Sequence, residues 1–121
     1  MATWEEIKKH MVQNHAMEEQ DSNGVMGTFF FPDGRSHLFF VTKANDDKIF
    51  LFAPVAEYSH ENLVKLVENN DSVFGVMKIY DRLMLSASQD MATADAGELD
   101  PSAMVVSADI LEEKLFGGDK F

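Results

Sequence analysis

The side chains of this 121-residue sequence best suited to proton transfer or metal ligation are its four histidines, His10, His15, His37 and His60. Their spacing argues for neither. His15 and Glu19 stand four apart on what the pattern makes the first helix, but two ligands do not make a metal site, and a surface ion pair is expected. His37 falls beside Arg35 near the end of a hairpin, and His60 takes the first helical position after Ser59, where a solvated ring is ordinary. "DSNG", Asp21 to Gly24, opens like a calcium loop, yet Val25 and Gly27 occupy positions that need oxygen ligands and the closing glutamate is absent, so a helix-to-strand turn is the better reading. "NDD", Asn45 to Asp47, has the residue types of a hairpin turn.

Nucleophilic chemistry fares no better. Ser86 and Ser88 lie in a strand-like run without a glycine-flanked elbow. There is no P-loop and no dinucleotide turn, and "FGGDK" near the C-terminus lacks the spacing and downstream helix of a phosphate site. Glu112 and Glu113 are adjacent on a helix, point apart, and are expected on a solvated face. The sequence thus predicts no catalytic residue, no metal site and no cofactor. Eight methionines fit core filling, with Met91 set apart because it falls in a polar stretch.

Composition narrows the field further. With 45% hydrophobic residues, 121 residues fit one domain with a core of its own. The absence of cysteine excludes disulfides and thiolate chemistry and is compatible with a cytoplasmic protein. Twenty-one acidic residues against ten basic ones give a net charge of -11, which repels nucleic acid and anionic membranes and favours basic partners. Lys8-Lys9, flanked by Glu5 and Glu6, reads as a solvated helix face. "MATWEEIKKHM" lacks an apolar leader core, and no run is long enough to span a bilayer.

The elements that would position these residues follow from caps, turns and periodicity. Thr3 and Glu6 form a capping box before Trp4, Ile7 and Met11, predicting a first helix from residue 4 to about 18, ended by "QDSNG". A strand to Phe31, the "FPDG" turn, a strand from Ser36 to Lys43, the "ANDD" turn and the strand "KIFLFAPV" come next. Ser59 caps "SHENLVKLVENN", with Tyr58 and Leu63 as a staple and Leu63, Leu66 and Val67 facing inward. Two strands fit "VFGVMKIY" and "LMLSAS", and Gln89 to Glu98 reads as a loop. Asp100 as cap, Leu99 as staple and Pro101 as first residue open a last helix with Met104, Ala108, Leu111 and Leu115 on one face, closed by Gly117-Gly118. The order αβββαββα, with an antiparallel sheet of about five strands and three helices, is an α+β domain.

Five phenylalanines crowd the first hairpin, "GTFFFPDGRSHLFFV". Pairing Phe31 with Arg35 and Lys43 with Lys48 sends Met26, Phe30, Leu38, Phe40, Ile49 and Leu51 to one face and Val25, Phe29, Phe31, Phe39, Val41, Phe50 and Phe52 to the other. Both faces are then apolar, and three helices must cover them or leave an interface. Phe29, Phe31, Phe39, Phe50, Phe52 and Met91 are the candidate interaction residues. Gly27, opposite Phe39, would let that ring lie over the backbone.

The element order, "FGVMKIYDRLMLSAS" feeding a polar loop, and the closing "LDPSAMVVSADILEEKLFGGD" resemble the YbjN family and, more distantly, the class I type III secretion chaperones. The resemblance spans nearly the whole chain and rests on hydrophobic pattern. It implies a non-enzymatic protein that forms a homodimer and binds a peptide or protein partner through apolar sheet and helix surfaces, as chaperone or regulator; it carries over no catalytic or ligand residue. The competing expectation is a small-ligand sensor, or an enzyme, with a pocket between helix and sheet.

Overall fold

The computed structural model describes residues 3–15, 17–44, 48–91, 101–117 and 121. Its elements run α1 (Trp4–Asn14), β1 (Glu18–Asp21), β2 (Gly24–Phe30), β3 (Ser36–Lys43), β4 (Lys48–Glu57), α2 (His60–Asn69), β5 (Gly75–Ile79), β6 (Arg82–Asp90) and α3 (Ser102–Leu111), the last running on into a π-helical turn, Glu112–Phe116. One six-stranded sheet in the order β1-β2-β3-β4-β6-β5, antiparallel at every pairing, forms the scaffold. The expected α+β architecture with three helices is the observed one, with six strands rather than five.

The sixth strand corrects the first helix. Thr3 caps it as expected, its hydroxyl accepting from the Glu6 N–H, but it stops at Asn14 with His15 as C-cap. Glu18 to Asp21 is an edge strand, so "DSNG" turns a hairpin between β1 and β2, with the Asn23 N–H donating to Asp21 Oδ1 at 2.8 Å. His15 and Glu19 therefore do not share a helix. Trp4 donates its indole N–H to the Ser22 carbonyl at 2.8 Å, and Lys8 lies 3.0 Å from Glu19, which together dock α1 on this hairpin.

The Phe31 to Arg35 turn is the expected one: Gly34 takes φ 90°, and the Phe31 N–H donates to the Arg35 carbonyl at 2.9 Å. The β2–β3 register also stands, with Gly27 opposite Phe39. The β3–β4 register does not. Ala44 N–H donates to Lys48 O at 2.8 Å, and Phe40 pairs with Phe52, one residue out of the expected step. Because side chains alternate, that slip exchanges the faces of β4. Ile49, Leu51 and Ala53 join Val25, Phe39 and Val41 in the core, while Phe50 and Phe52 join Phe40 on the opposite face.

All three helices supply residues to that one core: Trp4, Ile7 and Met11 from α1, Leu66 from α2, and Met104, Val105, Ala108 and Leu111 from α3. Val67, expected inward, is exposed, because α2 turns only Leu66 fully and Leu63 partly toward the sheet. Ser102 rather than Pro101 begins α3; the expected Asp100 cap and Leu99 staple lie outside the described residues. Gly117 ends the helix in the left-handed region at φ 69°.

At Gly27 an added Cβ would stand 2.8 Å from Phe39 Cζ and 2.9 Å from Met17 Cγ, so the Phe39 ring does lie on the backbone. Gly27→Ala should destabilise the fold by about 1–3 kcal/mol in urea denaturation, as overpacking does. Gly24→Ala, whose Cβ would meet nothing nearer than 3.5 Å, should move stability by less than about 1 kcal/mol.

Candidate functional site

Two features stand apart from an ordinary core: a buried group of charged side chains and the bare face of the sheet. The first starts at Pro54. In the register that pairs Phe40 with Phe52, Leu38 would exchange hydrogen bonds with residue 54, but proline has no N–H to give. The ladder between β3 and β4 ends there. The Leu38 N–H turns to the Phe121 carbonyl at 2.7 Å, and the Pro54 carbonyl faces His37 Nε2 at 2.5 Å. His37 is wholly buried, contrary to the solvated position expected for it.

A buried ring with one nitrogen on a carbonyl needs an acceptor or donor for the other. His37 Nδ1 lies 3.2 Å from Asp109 Oδ1 on α3 and 3.5 Å from Glu112 Oε1. Both ring nitrogens lie within hydrogen-bond distance of an oxygen, so neither is left without a partner. Arg35, at the start of the hairpin's return strand, donates from Nε to Asp109 Oδ2 at 3.0 Å and from the terminal nitrogen to Oδ1 at 3.1 Å, a bidentate pair. Its terminal nitrogen stands 3.8 Å from Glu112 Oε1. Glu112, expected on a solvated face, is buried, and its other oxygen accepts from the Phe121 N–H at 3.1 Å; Glu113 is exposed.

Ligand atoms of His37, Asp109 and Glu112 lie within 4.8 Å of one another, the spacing of a metal site. The donor set nevertheless argues for an internal ion network. The Arg35 guanidinium already lies against these carboxylates, and a dication would have to share the space with it. His37 is fully buried and Asp109 nearly so, and the network ties α3 to β3. Burial pushes the Asp109 carboxyl up, but the hydrogen bonds from Arg35 and His37 outweigh it and hold the group below the usual carboxylate range.

The second feature is the face that no described helix packs on. Phe50 and Phe52 stack there with ring centroids 5.7 Å apart and planes parallel within 2°. Met26, Leu38 and Phe40 continue the surface, and Phe30 is 76% exposed at its end. A groove of about 570 Å³ runs across it, floored by Phe40, Phe52 and Met84 and reaching Asp21 on the β1 side and Asp81 on the β5–β6 turn.

The candidate interaction residues thus divide. Phe50 and Phe52 lie on the bare face. Phe39 is 1% exposed and belongs to the core, which removes it from any surface. Phe29, Phe31 and Met91 are partly buried against that same core, and Phe29 meets Phe31 at 5.0 Å. Sequence reasoning placed Phe40 opposite the interaction set and assigned the Arg35, His37, Asp109 and Glu112 group no role. Arg35 and His37 are more than seventy residues from Asp109 and Glu112, and nothing local in the sequence joins the two pairs.

Asp109→Asn should cost about 3–5 kcal/mol at neutral pH, because it leaves the half-buried Arg35 guanidinium without its bidentate counter-charge. The wild-type carboxyl has its folded pKa below 3.8, so its contribution is full above the unfolded value and fades as pH falls through the folded one. The gap between wild type and variant in chemical denaturation should accordingly close toward strongly acid pH; a gap independent of pH would disprove the assignment.

No family model matches the chain, and no curated protein sequence matches it. In structure, it is similar to a chain in the crystal structure of the ExsC-ExsE complex, with a TM-score of 0.61, 14% identity, and coverage of 95% of this chain and 97% of that one. The Yersinia pestis type III secretion chaperone SycH, solved in complex with a stable fragment of YscM2, aligns with a TM-score of 0.49 at 12% identity over 93% of this chain and 99% of that one. At these identities the first likeness is one of fold: a three-helix, antiparallel α+β domain of the kind expected from the resemblance to secretion chaperones.

Proposed function

We propose that this chain is a non-enzymatic protein-interaction domain, chaperone-like or regulatory, that works in the cytoplasm and holds a peptide or protein partner on the bare face of its sheet. The observation that carries the reading is the one-sided placement of the helices, which leaves Phe40, Phe50 and Phe52 only partly buried on one continuous surface. Burying an aromatic side chain of this kind is worth roughly 1.5–3 kcal/mol, so a partner that covers three of them gains substantially. The resemblance to the YbjN and secretion chaperone families and the shared fold with a chain of a two-protein complex support the same reading.

The buried polar network supports it indirectly. It is the one dense group of titratable side chains among the described residues, and its members are consumed in holding α3 to the sheet. The bare face offers apolar contact with carboxylates at its margins, which suits binding. As with the resembling families, the domain is proposed to act as a homodimer.

Binding to an array of overlapping peptides is the direct test. The doubly substituted Phe50→Ser, Phe52→Ser protein should stay folded and lose binding, whereas Phe39→Ser should unfold or lose about 3–5 kcal/mol. Absence of any peptide binding by the wild type, or undiminished binding by the folded double variant, would refute the assignment. Light scattering during size exclusion should give twice the 13.6 kDa chain mass across a dilution series; a single-chain mass at all concentrations would rule out the dimer.

A further inference from the structure

The groove has more character than an apolar patch. Its floor is Phe40, Phe52 and Met84, and carboxylates stand at both ends, Asp21 from the β1–β2 hairpin and Asp81 from the β5–β6 turn. Arg82 also lines the groove, its guanidinium carbon 5.1 Å from the centre of the Phe121 ring, so two carboxylates stand against one cation that is drawn toward that ring. The lining therefore presents acid at its rim, on a protein whose net charge is already -11. An apolar floor between acidic ends is complementary to a segment that carries apolar and basic side chains together.

Beside Asp81 stands Tyr80, and its conformation is the least expected in the chain. Ile79 pairs with Arg82, so Tyr80 and Asp81 make a two-residue hairpin turn that wants a left-handed residue, and Tyr80 takes it with φ 54°. Among the described residues it is the one non-glycine residue with positive φ. Asparagine or glycine would adopt that backbone readily; a bulky aromatic residue does so under strain. Its side chain is 91% exposed and lines the groove. Packing within the chain gains nothing from a tyrosine placed there, whereas an occupant of the groove would meet a large amphipathic ring at its mouth.

We infer that the groove takes an extended cationic segment of a partner protein, with apolar side chains on the Phe40, Phe52 and Met84 floor and basic ones reaching Asp21 and Asp81, and that Tyr80 is the aromatic anchor that closes over it. The inference rests on the sheet-face reading above and adds the chemistry of the partner and the residue that selects it. An extended chain alternates its side chains, which lets one register satisfy floor and rim together.

The test uses fluorescence anisotropy with a labelled Leu-Arg repeat peptide and Leu-Ser and Leu-Glu repeats of the same length. Leu-Arg should bind at least about tenfold more tightly than Leu-Ser, with Leu-Glu weakest, and the preference should shrink as salt rises. Tyr80→Asn keeps the net charge; it should hold or raise the melting temperature yet weaken Leu-Arg binding by about tenfold, as loss of an anchor does, while Tyr80→Phe retains binding. Asp21→Asn with Asp81→Asn should erase the preference for arginine over serine.

Equal binding of Leu-Ser and Leu-Arg would overturn the cationic assignment and leave the sheet-face reading standing. Leu-Arg binding untouched by Tyr80→Asn would overturn the anchor and mark the attraction as diffuse charge. Failure of every peptide to bind, with the protein folded, would bring down both.

Discussion

A proline without an N–H sets much of this architecture. Pro54 sits inside a ten-residue strand, and at that point β4 cannot complete its ladder with β3 while still pairing with β6 on its other side. Past the proline the Leu38 N–H and the Pro54 carbonyl do not pair with each other, and buried backbone groups must be satisfied. One recruits the His37 ring and the other the Phe121 carbonyl. The second ring nitrogen of His37 meets Asp109 and Glu112 at the end of α3, and Arg35 supplies their counter-charge. A missing hydrogen bond on one strand is in this way linked to the docking of a helix from the other end of the chain.

That docking decides which face of the sheet is dry. With α3 pinned at the split between β3 and β4, and α1 tied to the β1–β2 hairpin through Trp4 and Lys8, the helical mass lies over Val25, Phe39, Val41, Ile49 and Leu51. Nothing among the described helices is left to cover Phe40, Phe50 and Phe52. A half-buried antiparallel sheet commonly turns a polar side to water, and Thr28, Thr42, Ser86 and Ser88 do lie on this one, but the aromatic residues between them do not follow that rule. The departure is local, and it falls where the groove is.

Local signals were legible in the sequence and non-local ones were not. The Thr3 cap, the Pro32-to-Gly34 turn chemistry, the β2–β3 register and the contact of Phe39 with Gly27 all depend on a few neighbouring residues. β1 escaped notice because "EEQD" carries no apolar residue; it holds its place by pairing with β2 and by the salt bridge from Lys8. The β3–β4 slip turned on how one hairpin closes, and a single residue there moves Phe50 and Phe52 to the other side of the sheet. The ion network could not be read at all, since Arg35 and His37 meet Asp109 across more than seventy residues and each, taken alone, looks like a surface side chain. For the candidate site the consequence is specific: the aromatic residues were found, but their division between core and surface came from the structure.

Leaving aromatic residues uncovered invites uncontrolled association, and the sheet carries a device against it. Every residue of β1 is exposed, and three of the four are acidic. A charged edge discourages the strand-to-strand addition that an apolar edge would template. The opposite edge, β5, exposes Gly75 and Lys78. Association along the edges is thereby disfavoured, while the face stays apolar and accessible. Asp21, one of the three carboxylates on the β1 edge, also stands at one end of the groove, so the charge that discourages pairing at the edge reaches the face as well. That asymmetry between edge and face depends on a sheet whose helices are held firmly to one side, which is what the network beneath α3 provides.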